Sequence, residues 1–189
     1  VAAAAPSSAA ARQPVHTPLS SVLALLRAGK LRDAVRLASV HARALGTRGL
    51  NAILDAVAKH HGSADEVTAA AERVFALLSP PDLASYSIMI TMHGRRGRPH
   101  AARRVFDGMQ AVEPNEFCYS ALLTAYGRAG MVDQALTLYR ERPRRLMQQP
   151  AILNTMVRVL ANSGRYDDAL QVFDAYTDVA DAPLDVFTV

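Results

Sequence analysis

The 189-residue sequence has one cysteine, Cys118, and no tryptophan. A lone cysteine excludes an internal disulfide and a cysteine-rich zinc site, so the fold must be held by packing and needs no oxidising compartment. No apolar stretch approaches the roughly 20 residues of a membrane-spanning helix; the longest candidate, Val22 to Leu26, is far shorter. Strict apolar/polar alternation, the mark of a half-buried strand, is almost absent. The six histidines (16, 41, 60, 61, 93 and 100) include no His-x-x-x-His pair and no His/Cys pattern, so no metal is expected. There is no Gly-x-Ser-x-Gly and no dinucleotide fingerprint. Gly94-Arg-Arg-Gly-Arg98 lacks the spacing and the Lys-Ser/Thr of a P-loop. Cys118 sits among apolar residues and reads as core. These absences leave no catalytic constellation. The expectation is a protein that is not an enzyme, with no cofactor and no small-molecule substrate.

What is present is alanine, leucine and positive charge. Half of the residues are hydrophobic, which excludes a disordered chain, and the Ala/Leu bias favours helices. Net charge is +4, unevenly spread: every Lys and Arg lies at or before Arg165, and six aspartates (167, 168, 174, 178, 181 and 185) come after it. A basic body suits a polyanion. Residues 1–14 are rich in Ala, Ser and Pro and read as a linker or tail, or as the stretch just after an organelle transit peptide. The last residues end without a helix stop, as a truncated chain would.

A repeat organises the chain. Gly29, Gly62, Gly97, Gly130 and Gly164 are 33, 35, 33 and 34 residues apart. Helical-period apolar segments precede four of them. Ala102-Arg-Arg-Val-Phe106, Ala135-Leu-Thr-Leu-Tyr139 and Ala169-Leu-Gln-Val-Phe173 each begin five residues after a glycine. Ala71-Glu-Arg-Val-Phe75 is the same block displaced by four residues, and Ala34–Ala38 is a weaker copy. Each unit therefore reads as two helices joined at a glycine, which can take the positive φ favoured just past a helix end. Asp33, Asp133, Asp167 and Asp168 suit second-helix starts. Pro81, Pro114 and Pro183 mark linkers between hairpins. One hairpin cannot bury its apolar face, so successive ones must stack.

The string Tyr119-Ser-Ala-Leu-Leu-Thr-Ala-Tyr-Gly-Arg-Ala-Gly-Met-Val-Asp-Gln-Ala-Leu-Thr-Leu-Tyr139 resembles the pentatricopeptide repeat, and 86–115 and 152–173 match nearly as well. The resemblance implies an all-α fold, an α-solenoid of stacked helix-turn-helix repeats. Units are expected at 47–82, 83–115, 116–149 and 150–185, with a degenerate one at 15–46 and the start of a further truncated unit at 186–189. It also implies binding of single-stranded RNA in a mitochondrion or chloroplast, supporting transcript stabilisation, maturation or translation. An alternative is a structural subunit of a large organellar ribonucleoprotein such as a ribosome, touching rRNA and protein neighbours.

Members of that family select bases with the fifth and last residues of each unit. Carried over, the pairs are Asn51 with Asp82, Ser87 with Asn115, Ser120 with Gln149, and Asn154 with Asp185. Asn/Asp implies uridine and Ser/Asn adenosine; Ser/Gln departs from the usual pairs. The degenerate unit places Leu19 and Gly46 there, and the base-flanking second position holds Arg48, Ala84, Phe117 and Ala151. For RNA phosphate or outer-face contacts the candidates are Arg95, Arg96, Arg103, Arg104, Arg128, Arg142, Arg144 and Arg145.

Overall fold

The structure is a computed structural model and describes residues 17–179. The expected 1–14 linker, Pro183, Asp185 and the 186–189 segment lie outside the described residues. Among the described residues there are ten α-helices, one 3-10 turn at Arg144–Leu146 and no strand. The helices are α1 (Pro18–Arg27), α2 (Leu31–Val40), α3 (Ala42–Ala58), α4 (Ala64–Phe75), α5 (Leu83–Arg95), α6 (Pro99–Asp107), α7 (Glu116–Arg128), α8 (Val132–Arg140), α9 (Pro150–Asn162) and α10 (Tyr166–Val179).

Odd and even helices pair into five hairpins stacked in sequence order. Each odd helix packs on the next odd one, from α1 to α9, whereas among even helices only α2 and α4 meet to a similar extent. Tighter packing along one row curves the array toward that row, so the odd helices form its inner side.

Local chemistry sets the helix ends. Thr17 accepts from Ser20 N at 3.2 Å, Ser63 from Glu66 N at 3.2 Å, and Asn115 from Cys118 N at 3.2 Å. Such caps are worth about 1 kcal/mol each. Gly29, Gly97, Gly130 and Gly164 turn between helices at φ of 67–75°, as their spacing predicts. Gly62 does not. The first helix of its unit stops at Ala58, four residues earlier, and the loop runs on to the Ser63 cap. The four extra residues of that unit lie in α4 itself, where Ala71 comes seven residues after the first helical residue, against three for Ala102 and Ala135. The positive φ appears instead at Gly46 (φ 59°), which breaks α3 between the degenerate 15–46 segment and the four units that follow.

The core is continuous along the stack. Met89 and Met92 of α5 join the apolar cluster of the first two hairpins, while Ile90 of the same helix joins the cluster running to α10. The small second-helix residues Ala34, Ala71, Ala102, Ala135 and Ala169 are all buried. The aromatic four residues later reaches the next hairpin: Phe75 meets Tyr86 edge-on at 5.4 Å and Phe106 meets Tyr119 at 5.0 Å. Each such pair adds about 0.5–1.5 kcal/mol beyond its buried area.

Gly94 and Gly127 have a different task. A Cβ on Gly94 would lie 2.7 Å from Ala125 Cβ, and one on Gly127 would lie 2.6 Å from Val159 Cγ2. Both glycines let neighbouring odd helices approach on the inner side.

Candidate nucleic-acid interface

The last residue assigned to each unit is the N-cap of the next odd helix: Asp82 for α5, Asn115 for α7 and Gln149 for α9. An N-cap side chain sits at the rim of the helix. Asp82 stands there beside Asn51, the fifth residue of its own unit, one helix back along the inner row.

For the first pair the two side chains touch. Asn51 Nδ2 donates to both carboxylate oxygens of Asp82, at 2.9 and 3.1 Å. Ser85 closes the network. Its hydroxyl lies 2.7 Å from Asn51 Oδ1 and 2.8 Å from Asp82 Oδ1, its backbone N–H donates to Asp82 Oδ1 at 2.9 Å, and Asp82 N–H donates to Ser85 Oγ at 3.2 Å. Burial pushes the Asp82 carboxyl up. The donors from Ser85, Asn51 and the Ala84 backbone outweigh it and hold its pKa below the ordinary value, so it is an ionised acceptor at neutral pH.

The other pairs are looser. Asn115 Oδ1 is taken by the Cys118 N–H, which leaves its amide N–H groups to donate, and Ser87 lines a groove on the inner side. Gln149 makes no side-chain cap, and Ser120 Oγ donates to Ala151 O at a long 3.4 Å. Asn154 is half-buried, and its Oδ1 has no hydrogen-bond partner among the described residues. Asp185, assigned to it, lies outside them.

Ser87, Thr91, Arg95, Phe117, Ser120, Thr124, Arg128 and Arg158 line a single groove of about 340 Å³ across α5, α7 and α9. Phe117 leaves 64 % of its surface exposed there, unusual for a large apolar side chain on a face otherwise made of hydroxyls and cations. Arg95 and Arg128 each come eight residues after the fifth position, as Lys59 does in the preceding unit. Lys59 is tied to Asp55 at 2.6 Å. Arg95, Arg128 and Arg158 have no anionic partner among the described residues.

Most of the remaining candidate arginines bind the protein itself. Arg96 donates to His60 O at 3.2 Å. Arg103 Nε reaches Asp107 at 2.7 Å. Arg145 ties the α8–α9 loop to the α6–α7 loop, with Nε 2.7 Å from Glu113 and Nη2 2.9 Å from Pro114 O. Arg142 lies 3.6 Å from the centroid of the Tyr139 ring and donates to the Tyr139 and Met147 carbonyls; burial lowers its pKa. Arg104 and Arg144 stay exposed and unpaired among the described residues.

Sequence reasoning missed two features. Arg158 is the first. It lies one turn after Asn154, and i, i+4 spacing on an odd helix is the signal that could have found it. The second is a clasp between units, Arg98 with Asp65 and Arg165 with Asp133. Each joins the residue after a turn glycine to a second-helix aspartate one repeat earlier, and aligning those two positions would have exposed it. Among the described residues no group of three His, Cys, Asp or Glu is placed to hold a metal ion, and no helix is long and apolar enough to cross a membrane.

An unbroken stack of helical hairpins with polar fifth and capping residues on its inner row defines a helical-repeat α-solenoid. Similarity to known proteins narrows this further. Residues 81–126 match the PPR repeat family, and residues 117–141 and 151–175 match the PPR repeat. The chain belongs to the pentatricopeptide-repeat family. A putative pentatricopeptide repeat-containing protein of Arabidopsis thaliana is 32% identical over 157 residues, covering 80% of this chain and 22% of that protein. Another from the same plant, named mitochondrial, is 33% identical over 127 residues, 65% of this chain and 19% of that protein. The chain thus spans about a fifth of the length of these relatives. Two solved structures share the fold. The PPR domain of Arabidopsis thaliana protein-only RNase P 1, in complex with tRNA, has a TM-score of 0.60 at 15% identity, covering 91% of this chain and 95% of that one. PPR10, in complex with an 18-nt psaJ RNA element, has a TM-score of 0.53 at 23% identity, covering 88% of this chain and 28% of that one.

Proposed function

We propose that this chain binds single-stranded RNA along its inner row of odd helices, one nucleotide per unit. The observation that carries this reading is the groove across α5, α7 and α9, where hydroxyls, an exposed phenylalanine and unpaired arginines share one surface. Each group has a use. An aromatic face stacks on any base, contributing about 1–3 kcal/mol by analogy with other single-strand binders, and Phe117 offers one. Arg95 and Arg128, at the same position in successive units, meet successive phosphates.

The paired side chains suit base edges. Asp82, ionised, accepts the N3–H of uridine beside an Asn51 N–H that donates to a uridine carbonyl. Asn115, with its oxygen engaged by the helix, presents N–H groups to the N1 acceptor of adenine. The same chemistry assigns a second uridine to Asn154 with Asp185. Both solved neighbours are complexes with RNA, which supports an RNA partner. Relatives named mitochondrial or chloroplastic support an organellar location. In this reading the chain is a binding module in transcript stabilisation, maturation or translation, and contributes no chemistry itself. A subunit role in a large ribonucleoprotein draws less support, because Arg96, Arg103, Arg142 and Arg145 are engaged within the chain.

Titration of the chain with a labelled 12-nucleotide single strand at several salt concentrations tests this. Affinity should fall steeply with salt, and Arg95→Ala or Arg128→Ala should each reduce the slope by about 0.7. Salt-independent binding, or equal affinity for a duplex of the same sequence, would overturn the reading.

A further inference from the structure

In the fourth unit the cation has moved. Eight residues past the fifth position, where Lys59, Arg95 and Arg128 stand, that unit has Asn162. Arg158 lies four residues earlier, one helical turn nearer the base-reading residue Asn154. It is exposed, has no anionic partner among the described residues, and lines two adjoining hollows together with Arg128. The second hollow, about 250 Å³, is bounded by Thr124, Gly127, Val159 and Asn162. The bare Gly127, against which a Cβ would strike Val159 at 2.6 Å, keeps α7 and α9 close here, and Arg128 and Arg158 both line the hollow between them.

We propose that Arg128 and Arg158 together hold one backbone phosphate, the one linking the nucleotides that face Ser120 and Asn154. This rests on the reading that a single strand follows the odd helices. Two guanidiniums present forked N–H donors to the tetrahedral oxygens, and neither has another anion to satisfy. The consequence is local. At this step the strand is drawn one turn closer to the base-reading edge than in the second and third units, so the least conventional pair, Ser120 with Gln149, is offset by a tighter backbone grip.

The test uses the full chain and a 12-nucleotide single strand in which this one linkage is replaced by an uncharged methylphosphonate. The wild-type chain should bind the substituted strand about tenfold more weakly than the ordinary one, as loss of a charge-assisted contact implies. Arg158→Ala should lose a similar factor on the ordinary strand, Arg158→Lys should recover most of it, and Arg128→Ala/Arg158→Ala should not distinguish the two strands. Unaltered helicity by circular dichroism checks that the exposed substitutions leave the fold intact. If Arg158→Ala binds the ordinary strand like wild type, or the double variant still distinguishes the strands, the shared phosphate site is wrong while RNA binding stands. If the wild-type chain binds neither strand, the underlying reading falls and this inference with it.

Discussion

Replacing Gly94 by alanine measures the close approach of the inner helices directly. Alanine is the better helix former by about 1 kcal/mol, so on an open helix the substitution would stabilise. At Gly94 the added methyl would sit 2.7 Å from Ala125 Cβ and 3.2 Å from Ala125 Cα. Neither atom can rotate away, so relief requires a backbone shift between α5 and α7. Overpacking of a close-packed site costs about 1–3 kcal/mol. The upper half of that range, less the propensity gain, leaves a net destabilisation of about 1–2 kcal/mol. Urea denaturation followed by helical circular dichroism would read it as a lowered midpoint. Adding Ala125→Gly removes the obstructing methyl. The two substitutions should therefore couple favourably by about 1 kcal/mol or more, within the range seen for residues in contact. A Gly94→Ala chain at least as stable as wild type, or a pair of substitutions that simply add, would refute the packing assigned to this glycine.

Two more outcomes concern buried or capping groups. His93 is 2% exposed, and burial, with the Arg98 and Arg104 charges, lowers its pKa to about 4. The unfolded chain, titrating near 6.5, takes up the proton first, so stability is fully present above about pH 6.5 and falls as pH drops toward 4, by up to about 3 kcal/mol from this group; an equally steep loss in a His93→Gln chain would contradict it. Asp82→Ala removes the α5 cap and strands the Asn51 amide, so it should cost about 1 kcal/mol of stability and abolish any uridine preference at that unit, whereas unchanged melting and preference would show the network to be idle.

Much of the fold was legible because the repeat writes the same packing rule several times. The turn glycines at 97, 130 and 164, the small alanines and the aromatics four residues on are constraints each imposed by one local contact, and recurrence makes them visible. Gly62 misled because spacing alone cannot show φ. Its longer loop closes through the Ser63 cap, and the positive-φ glycine falls at Gly46. In the site, residue identity picks out polar side chains but not how each is used. Asn51 and Asp82 satisfy one another, Asn115 spends its oxygen on a helix end, and Gln149 makes no cap. The arginines show the limit most plainly. A count of positive charge does not reveal which guanidiniums already have a carbonyl, a carboxylate or a ring, and only the packed structure separates Arg95, Arg128 and Arg158 from Arg103, Arg142 and Arg145.

The most direct test of RNA binding by paired side chains is a titration of the chain with four single strands that differ only in the base facing Ser87 and Asn115, repeated with Asn115→Asp. With the strand running 5′ to 3′ along the N- to C-terminal units, the wild-type chain should prefer adenosine at that position, and Asn115→Asp should move the preference to guanosine. Each preference should be on the order of 1–3 kcal/mol, by analogy with base readout in DNA. Equal affinity for all four bases, before and after the substitution, would contradict the account.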